Sequence, residues 1–279
     1  MHADRGALFC ATGSLLYLEA ALIAALTLRQ HEPLLPITLL SDRPDWQGLD
    51  LRGTGISHRL VWPDLPVGAD DYSSRWIKTR LASLSPYRDS LYVDADMLTR
   101  QPLGALWQTL EQHPIAMVLD LKPRVSLCEH IGPAEKAFTL EALGGDAPHF
   151  NSGLMLWRDG EPTATLFQHW HQEWRRFGRQ DQLALVRAIA SSGTPVASLP
   201  SSYNASPRDA RGQPVHLLHC WGNKVERGMF RRFAAVHCPE AVQEARSRLK
   251  SLTNASVADI IGPWPAPMRS SRSPSSRPS

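Results

Sequence analysis

Short β-prone apolar runs alternate with longer mixed stretches along most of the chain. Ala7 to Thr12 reads as a first strand, and Gly13-Ser14 as a turn whose serine can cap a helix. Leu15 to Arg29 then has the broad apolar face of a helix lying on a sheet. Pro36 to Leu40 is a second strand and ends at Ser41-Asp42. Strand, helix, strand over so short a span is the βαβ unit of a parallel sheet. Gly53 to Val61 supplies a third strand, and Pro63 to Asp71 reads as a loop. Ser74 to Ser83 is helical in pattern and is stopped by Pro86. Further strands are expected at Leu91 to Val93, Ile115 to Leu119, His149 to Trp157 and Val215 to His219. Helices are expected at Thr165 to Phe177, Leu183 to Ala190 and Pro239 to Leu252, with Trp170 and Trp174 in the core. Lys122 to Pro148 is irregular, with Gly132, Pro133, Gly144 and Gly145. It predicts a loop with one short helix, of the kind that covers a site. The pattern as a whole is that of an α/β protein.

Composition narrows the picture. The 279 residues provide ample core for one large α/β domain or two small ones. A net charge of +3 is mild and is carried largely by the tail, so nucleic acid is not implied. Four scattered cysteines, with no CxxC, read as reduced thiols of a cytosolic protein. The apolar run Leu15 to Leu28 is too short to span a bilayer and is interrupted by Glu19, and no signal peptide is evident. From Met268 onward only Ser, Arg and Pro follow, a composition that cannot build a core. The expected organisation is a folded region over 1–262, ending in a basic helical segment (227–252), and a disordered tail over 263–279.

The candidate chemistry centres on Ser90 to Leu98. The run Leu91-Tyr92-Val93 ends in Asp94 and Asp96, spaced i, i+2, so on an extended backbone both carboxylates face one side. Such oxygens suit a hard divalent cation, which in turn suits a diphosphate. The spacing alone is common and fits a polar turn equally well. Its position at a strand end is where open α/β sheets bind ligands. Arg75, Lys78 and Arg80 form a basic cluster just upstream, suited to phosphate or to a solvated helix face. Asp120 ends a strand. Asn151-Ser152-Gly153 opens another with amide groups and a close backbone approach, which suits sugar hydroxyls or an Asx-type turn. Asp181-Gln182 starts a helix, where an acid is ordinary capping chemistry. His219 offers an imidazole for a metal, and Lys224 a charge for phosphate. Cys128, Glu129 and His130 sit together, but sequence neighbours do not make a metal site by themselves.

The order of these features resembles family 8 of the retaining glycosyltransferases, which includes glycogenin and the bacterial lipooligosaccharide galactosyltransferases. The landmarks run from Ala7 to Lys224: Ala11-Thr12 with Tyr17, Lys78, LYVDADM, FNSG, DQ, LPxxYN and HCWGNK. The resemblance implies a GT-A nucleotide-diphosphosugar transferase fold, a Rossmann-like mixed sheet flanked by helices in a single domain. It implies that Asp94, Asp96 and His219 hold Mn2+ or Mg2+ on the diphosphate of a UDP-sugar. Ala11, Thr12 and Tyr17 would sit by the nucleoside, and Lys78, Gly222 and Lys224 by the phosphates. Asp120 and Asn151 would touch the donor sugar, with Asp181 and Gln182 near the anomeric carbon. The acceptor would be a hydroxyl on a glycan, glycolipid or protein. Transfer would keep the anomeric configuration, by front-face substitution or through a covalent intermediate.

Family members commonly carry Lys-Pro-Trp after a longer spacing from the last histidine, whereas here Lys224 is followed by Val225. One alternative is a catalytically silent nucleotide-sugar-binding or scaffold protein of the same fold. A nucleotidyltransferase would be expected to carry a Gly-rich phosphate loop, and only Thr12-Gly13-Ser14 stands there. The basic, aromatic segment Arg227 to Lys250 suits peripheral contact with the anionic inner face of a membrane as well as it suits a solvated helix.

Overall fold

The computed structural model describes residues 3–62, 72–208 and 214–252. The loop expected over 63–71 and the tail expected over 263–279 lie outside them. The chain begins with β1 (Ala3–Ala11), α1 (Leu15–His31), β2 (Ile37–Ser41) and β3 (Ile56–Leu60). Next come α2 (Ser73–Lys78), α3 (Leu81–Leu84), β4 (Tyr87–Val93), β5 (Met97–Thr99) and β6 (Ile115–Arg124). The middle holds α4 (Pro133–Leu143), β7 (Pro148–Arg158), α5 (Glu161–Arg175), α6 (Gln182–Ser192) and β8 (Val196–Leu199). The described part ends with β9 (Leu217–His219), α7 (Met229–His237) and α8 (Pro239–Leu249).

Seven strands form one mixed sheet in the order β3-β2-β1-β4-β7-β6-β8. β7 is antiparallel to both of its neighbours, and every other adjacent pair is parallel. The ends of β1, β2, β4 and β6 therefore reach the same edge of the sheet as the start of β7. That edge is the crevice where the candidate residues gather.

Alternation along the strands divides the interior in two. Ala7 and Phe9 of β1, Leu91 and Val93 of β4, and Leu154 and Leu156 of β7 face the layer of α1, α7 and α8. Leu8, Tyr92, Met155 and Trp157 face the opposite layer, where Trp170 and Trp174 of α5 are buried as the sequence predicts.

α1 is enclosed more fully than a helix lying on a sheet. Every residue from Leu18 to Leu28 is buried, because α8 packs over the side that the sheet leaves open. Within that layer the Glu19 carboxylate accepts a hydrogen bond from Arg246 Nε at 3.0 Å and lies 3.6 Å from Arg231. Arg248 likewise pairs with Glu244 and the Asp50 carbonyl. Three of the cations expected to favour a membrane surface are thus bonded within the molecule, while Arg227, Arg232 and Lys250 are exposed. No helix among the described residues is long and apolar enough to cross a membrane.

Three expectations need correction. The helix expected over Ser74 to Ser83 is two short helices, broken where Thr79 Oγ1 lies 3.1 Å from the Trp76 carbonyl and 2.8 Å from His171 Nδ1. β6 continues past Asp120 to Arg124, although its register with β7 slips twice on the way. The strand expected over Val215 to His219 is shorter. It leaves the main sheet to pair antiparallel with β5.

Candidate functional site

β4 ends at Val93, and Asp94-Ala95-Asp96 forms a turn closed by the Met97 N–H on the Asp94 carbonyl at 3.2 Å. The two carboxylates converge because the chain turns into β5, not because they alternate along a strand. β5 then sets Met97 opposite His219, and the Cys220 N–H donates to the Asp96 carbonyl at 2.9 Å. This pairing brings His219 Nε2 to 3.1 Å from Asp96 Oδ1 and 3.9 Å from Asp94 Oδ2. One donor atom from each of Asp94, Asp96 and His219 lies within 4.8 Å of the others.

Positive charge is built into the same corner. Lys78 Nζ lies 2.7 Å from Asp94 Oδ1, and the Tyr92 hydroxyl donates to that carboxylate at 2.6 Å. Burial works against the charged form of Lys78, yet Asp94 and Asp181 outweigh it and raise its pKa. Burial also opposes ionisation of Asp96, but His219 and Lys78 hold its carboxyl below the ordinary range.

The donor set fits a divalent metal. His219 Nδ1 lies 2.7 Å from Asn204 Oδ1 and must donate to it, which makes Nε2 the nitrogen that faces the carboxylates and, once it gives up its proton, the one that can take an ion. Two carboxylates and one imidazole are donors that a divalent cation accepts.

A continuous row of hydrogen bonds runs away from His219. Asn204 Nδ2 donates to Asn151 Oδ1, and Asn151 Nδ2 donates to Asp120 Oδ2, each at 2.9 Å. From the other side Gln182 Nε2 donates to the same Asp120 oxygen at 3.2 Å, and Gln182 Oε1 lies 2.7 Å from His130 Nε2. An ionised carboxylate only accepts, so Asp120 fixes the direction of both arms. Burial disfavours its charge, but Asn151, the Lys122 N–H and Gln182 keep its pKa low. Each arm ends on a histidine whose protonated nitrogen is thereby assigned.

Gly153 makes room for this arrangement. A Cβ on it would lie 2.4 Å from His219 Cε1, and its N–H donates to Asn151 Oδ1 at 2.9 Å. Asp181 is buried, with its Oδ2 accepting from Ser152 at 2.6 Å and its carbonyl accepting from Trp170 Nε1 at 2.8 Å.

All these groups line one cavity of about 990 Å³ at the crevice edge. Of the residues given a role by the family resemblance, Ala11 and Lys224 are not among its lining, and neither is Arg80 of the basic cluster. The Ala11 side chain is in the core, and Lys224 Nζ lies over the Trp221 ring, 5.3 Å from its centroid. Several lining residues were not assigned a role from the sequence. Ser152 holds Asp181, His130 holds Gln182, and Glu226 accepts the Tyr17 hydroxyl. Burial, aided by Glu226, pushes the Tyr17 phenol pKa well above its usual value. Glu226 lies 209 residues from Tyr17, so no local pattern pointed to it.

No family model matches the chain, and no curated protein matches it. Solved structures do. A galactosyltransferase, LgtC, determined with donor and acceptor sugar analogues, is 19% identical over 86% of this chain and 95% of its own, with a TM-score of 0.57. The glycosyltransferase GlyE of Streptococcus pneumoniae TIGR4 is 16% identical over 91% of this chain and 65% of its own, with a TM-score of 0.55. Mouse xyloside xylosyltransferase 1 is 12% identical over 79% of this chain and 98% of its own, with a TM-score of 0.51. What these neighbours share with the chain is the GT-A fold.

Proposed function

We propose that the chain is a metal-dependent, retaining glycosyltransferase that moves a sugar from a UDP-sugar to a hydroxyl acceptor. The observation that carries this reading is the convergence of Asp94, Asp96 and His219 beside Lys78, in the crevice of a GT-A sheet. Asp94, Asp96 and His219 would hold Mn2+ or Mg2+. Such an ion would neutralise charge on the leaving diphosphate, the main electrostatic demand of the reaction.

The chain's own groups divide the remaining work. Lys78 adds a second positive charge at the phosphates. Thr12 and Tyr17 border the nucleoside end of the cavity, and Gly222 the phosphate end. Asp120 and Asn151 present an acceptor and a donor to sugar hydroxyls from a row that is already oriented. Both ends of the Gln182 amide are held, so its position beside Asp181 at the start of α6 is set before substrate arrives.

Calorimetric titration of UDP, first with Mn2+ and then with EDTA, tests the assignment. Binding should require the metal and disappear in Asp96→Ala. Binding indifferent to EDTA would remove the metal role of Asp94, Asp96 and His219. No binding at all would favour a scaffold protein. Release of UDP from a panel of UDP-sugars then separates an enzyme from a silent nucleotide-sugar binder.

A further inference from the structure

We propose that Cys128, His130 and His149 form a second metal site, built for Zn2+ and chemically distinct from the carboxylate site. The connection between β6 and β7 assembles it. The two strands pair at Arg124 and Pro148, and the Val125 N–H donates to the Ala147 carbonyl at 3.1 Å. A single 3-10 turn over Val125–Leu127 then delivers Cys128 and His130 to the start of β7, where His149 stands. One donor atom from each of the three lies within 4.8 Å of the others.

Apart from the Cys128 Sγ–His130 Nδ1 hydrogen bond within the cluster, the three donor atoms face one another without a partner from outside it. His149 is fully buried, and its Nδ1 donates to the Lys122 carbonyl at 2.9 Å. Its Nε2 has no partner, and no other buried side-chain nitrogen or oxygen among the described residues lacks one. A buried acceptor left open in this way calls for an explanation such as an ion. His130 Nε2 must donate to Gln182 Oε1 because Asp120 fixes that amide, so in the neutral imidazole it is Nδ1 that carries the lone pair. That nitrogen lies 3.8 Å from Cys128 Sγ, itself fully buried and in no disulfide. The neighbouring acid is elsewhere engaged, since Glu129 pairs with Lys122.

One thiolate and two imidazoles suit Zn2+ and not Mg2+ or Mn2+. Each imidazole already has the outer hydrogen bond that zinc-ligating histidines usually make. On binding, the Cys128 thiol gives its proton to solvent and the sulfur takes the ion. Three protein ligands leave a tetrahedral ion one position for water. His130 is exposed and lines the large cavity, which provides the way in. The ion would clip the β6–β7 connection together and, through His130, hold Gln182 in place.

The full-length chain, purified without chelators, should contain about one zinc per molecule by elemental analysis. Asp96→Ala should keep it, while Cys128→Ser and His149→Ala should lose it. In the metal-free wild-type protein, Co2+ should produce a thiolate-to-cobalt charge-transfer band that one equivalent of Zn2+ abolishes. Absence of that band in folded wild-type protein, confirmed by circular dichroism, would overturn the site without recourse to any variant. Zinc that persists in Cys128→Ser, or that is lost only in Asp96→Ala, would overturn it equally.

Discussion

Gly153 shows how narrowly single residues are constrained here. Its missing Cβ is the space occupied by the His219 ring, and its N–H helps hold Asn151. In Gly153→Ala the imidazole must shift from its present position, and disturbing what orients a metal ligand costs about 10- to 100-fold in metal affinity. Metal-dependent UDP affinity should fall by roughly that factor, read by the same calorimetry, and excess Mn2+ should recover part of it. At this scale the sequence shows residue types better than the reasons for them. Asp94 and Asp96 are legible as a pair, yet a turn brings them together where the spacing suggested a strand. His130 and Gln182 are each legible, but they meet across 52 positions, and only the fold can say so.

Among elements, the reversed strand β7 decides the architecture of the site. The polar start and apolar body of His149 to Trp157 are plain in the sequence. Its direction is not, because period-two alternation is the same for a parallel and an antiparallel strand. The contact between α4, α5 and α6 was equally hidden. Besides apolar packing it includes Arg187, a charged residue at 4% exposure inside a helix that reads as apolar. Its guanidinium reaches Glu173 Oε2 at 2.8 Å, Thr139 Oγ1 at 2.6 Å and Glu135 Oε1 at 3.1 Å. Arg187→Met would leave Glu135 buried without a counter-charge, and removing one partner of such a pair costs about 3–5 kcal/mol. Urea unfolding should show that loss, and Glu135→Gln in the same chain should restore much of it.

For the molecule as a whole, the βαβ beginning, the α/β class and the crevice at one sheet edge are legible from the order of apolar runs. The enclosure of α1 is not, because Glu19 and Arg246 lie 227 positions apart. Burial raises the Glu19 pKa, while Arg246 and Arg231 pull it back. In Arg246→Met the carboxyl loses one of these cations and its pKa rises further. An acid with a raised folded pKa favours the folded state more as pH falls. The variant should therefore be clearly less stable than wild type at neutral pH in thermal unfolding. The gap should narrow on acidification and close below the ordinary glutamate pKa of about 4.3.

That same enclosure orders events in time. A chain emerging from the ribosome makes α1 among its first elements and the helices that cover it among its last. Until Met229–Leu249 has been synthesised, the outer side of α1 has no lid and Glu19 has no arginine. All the described strands precede this segment, so the sheet can pair before it is made. Docking of α7 and α8 onto α1 has to wait for that synthesis, and contacts of such high sequence separation form slowly. Whatever protection the nascent protein draws from chaperones is needed most during that interval, and for that one helix.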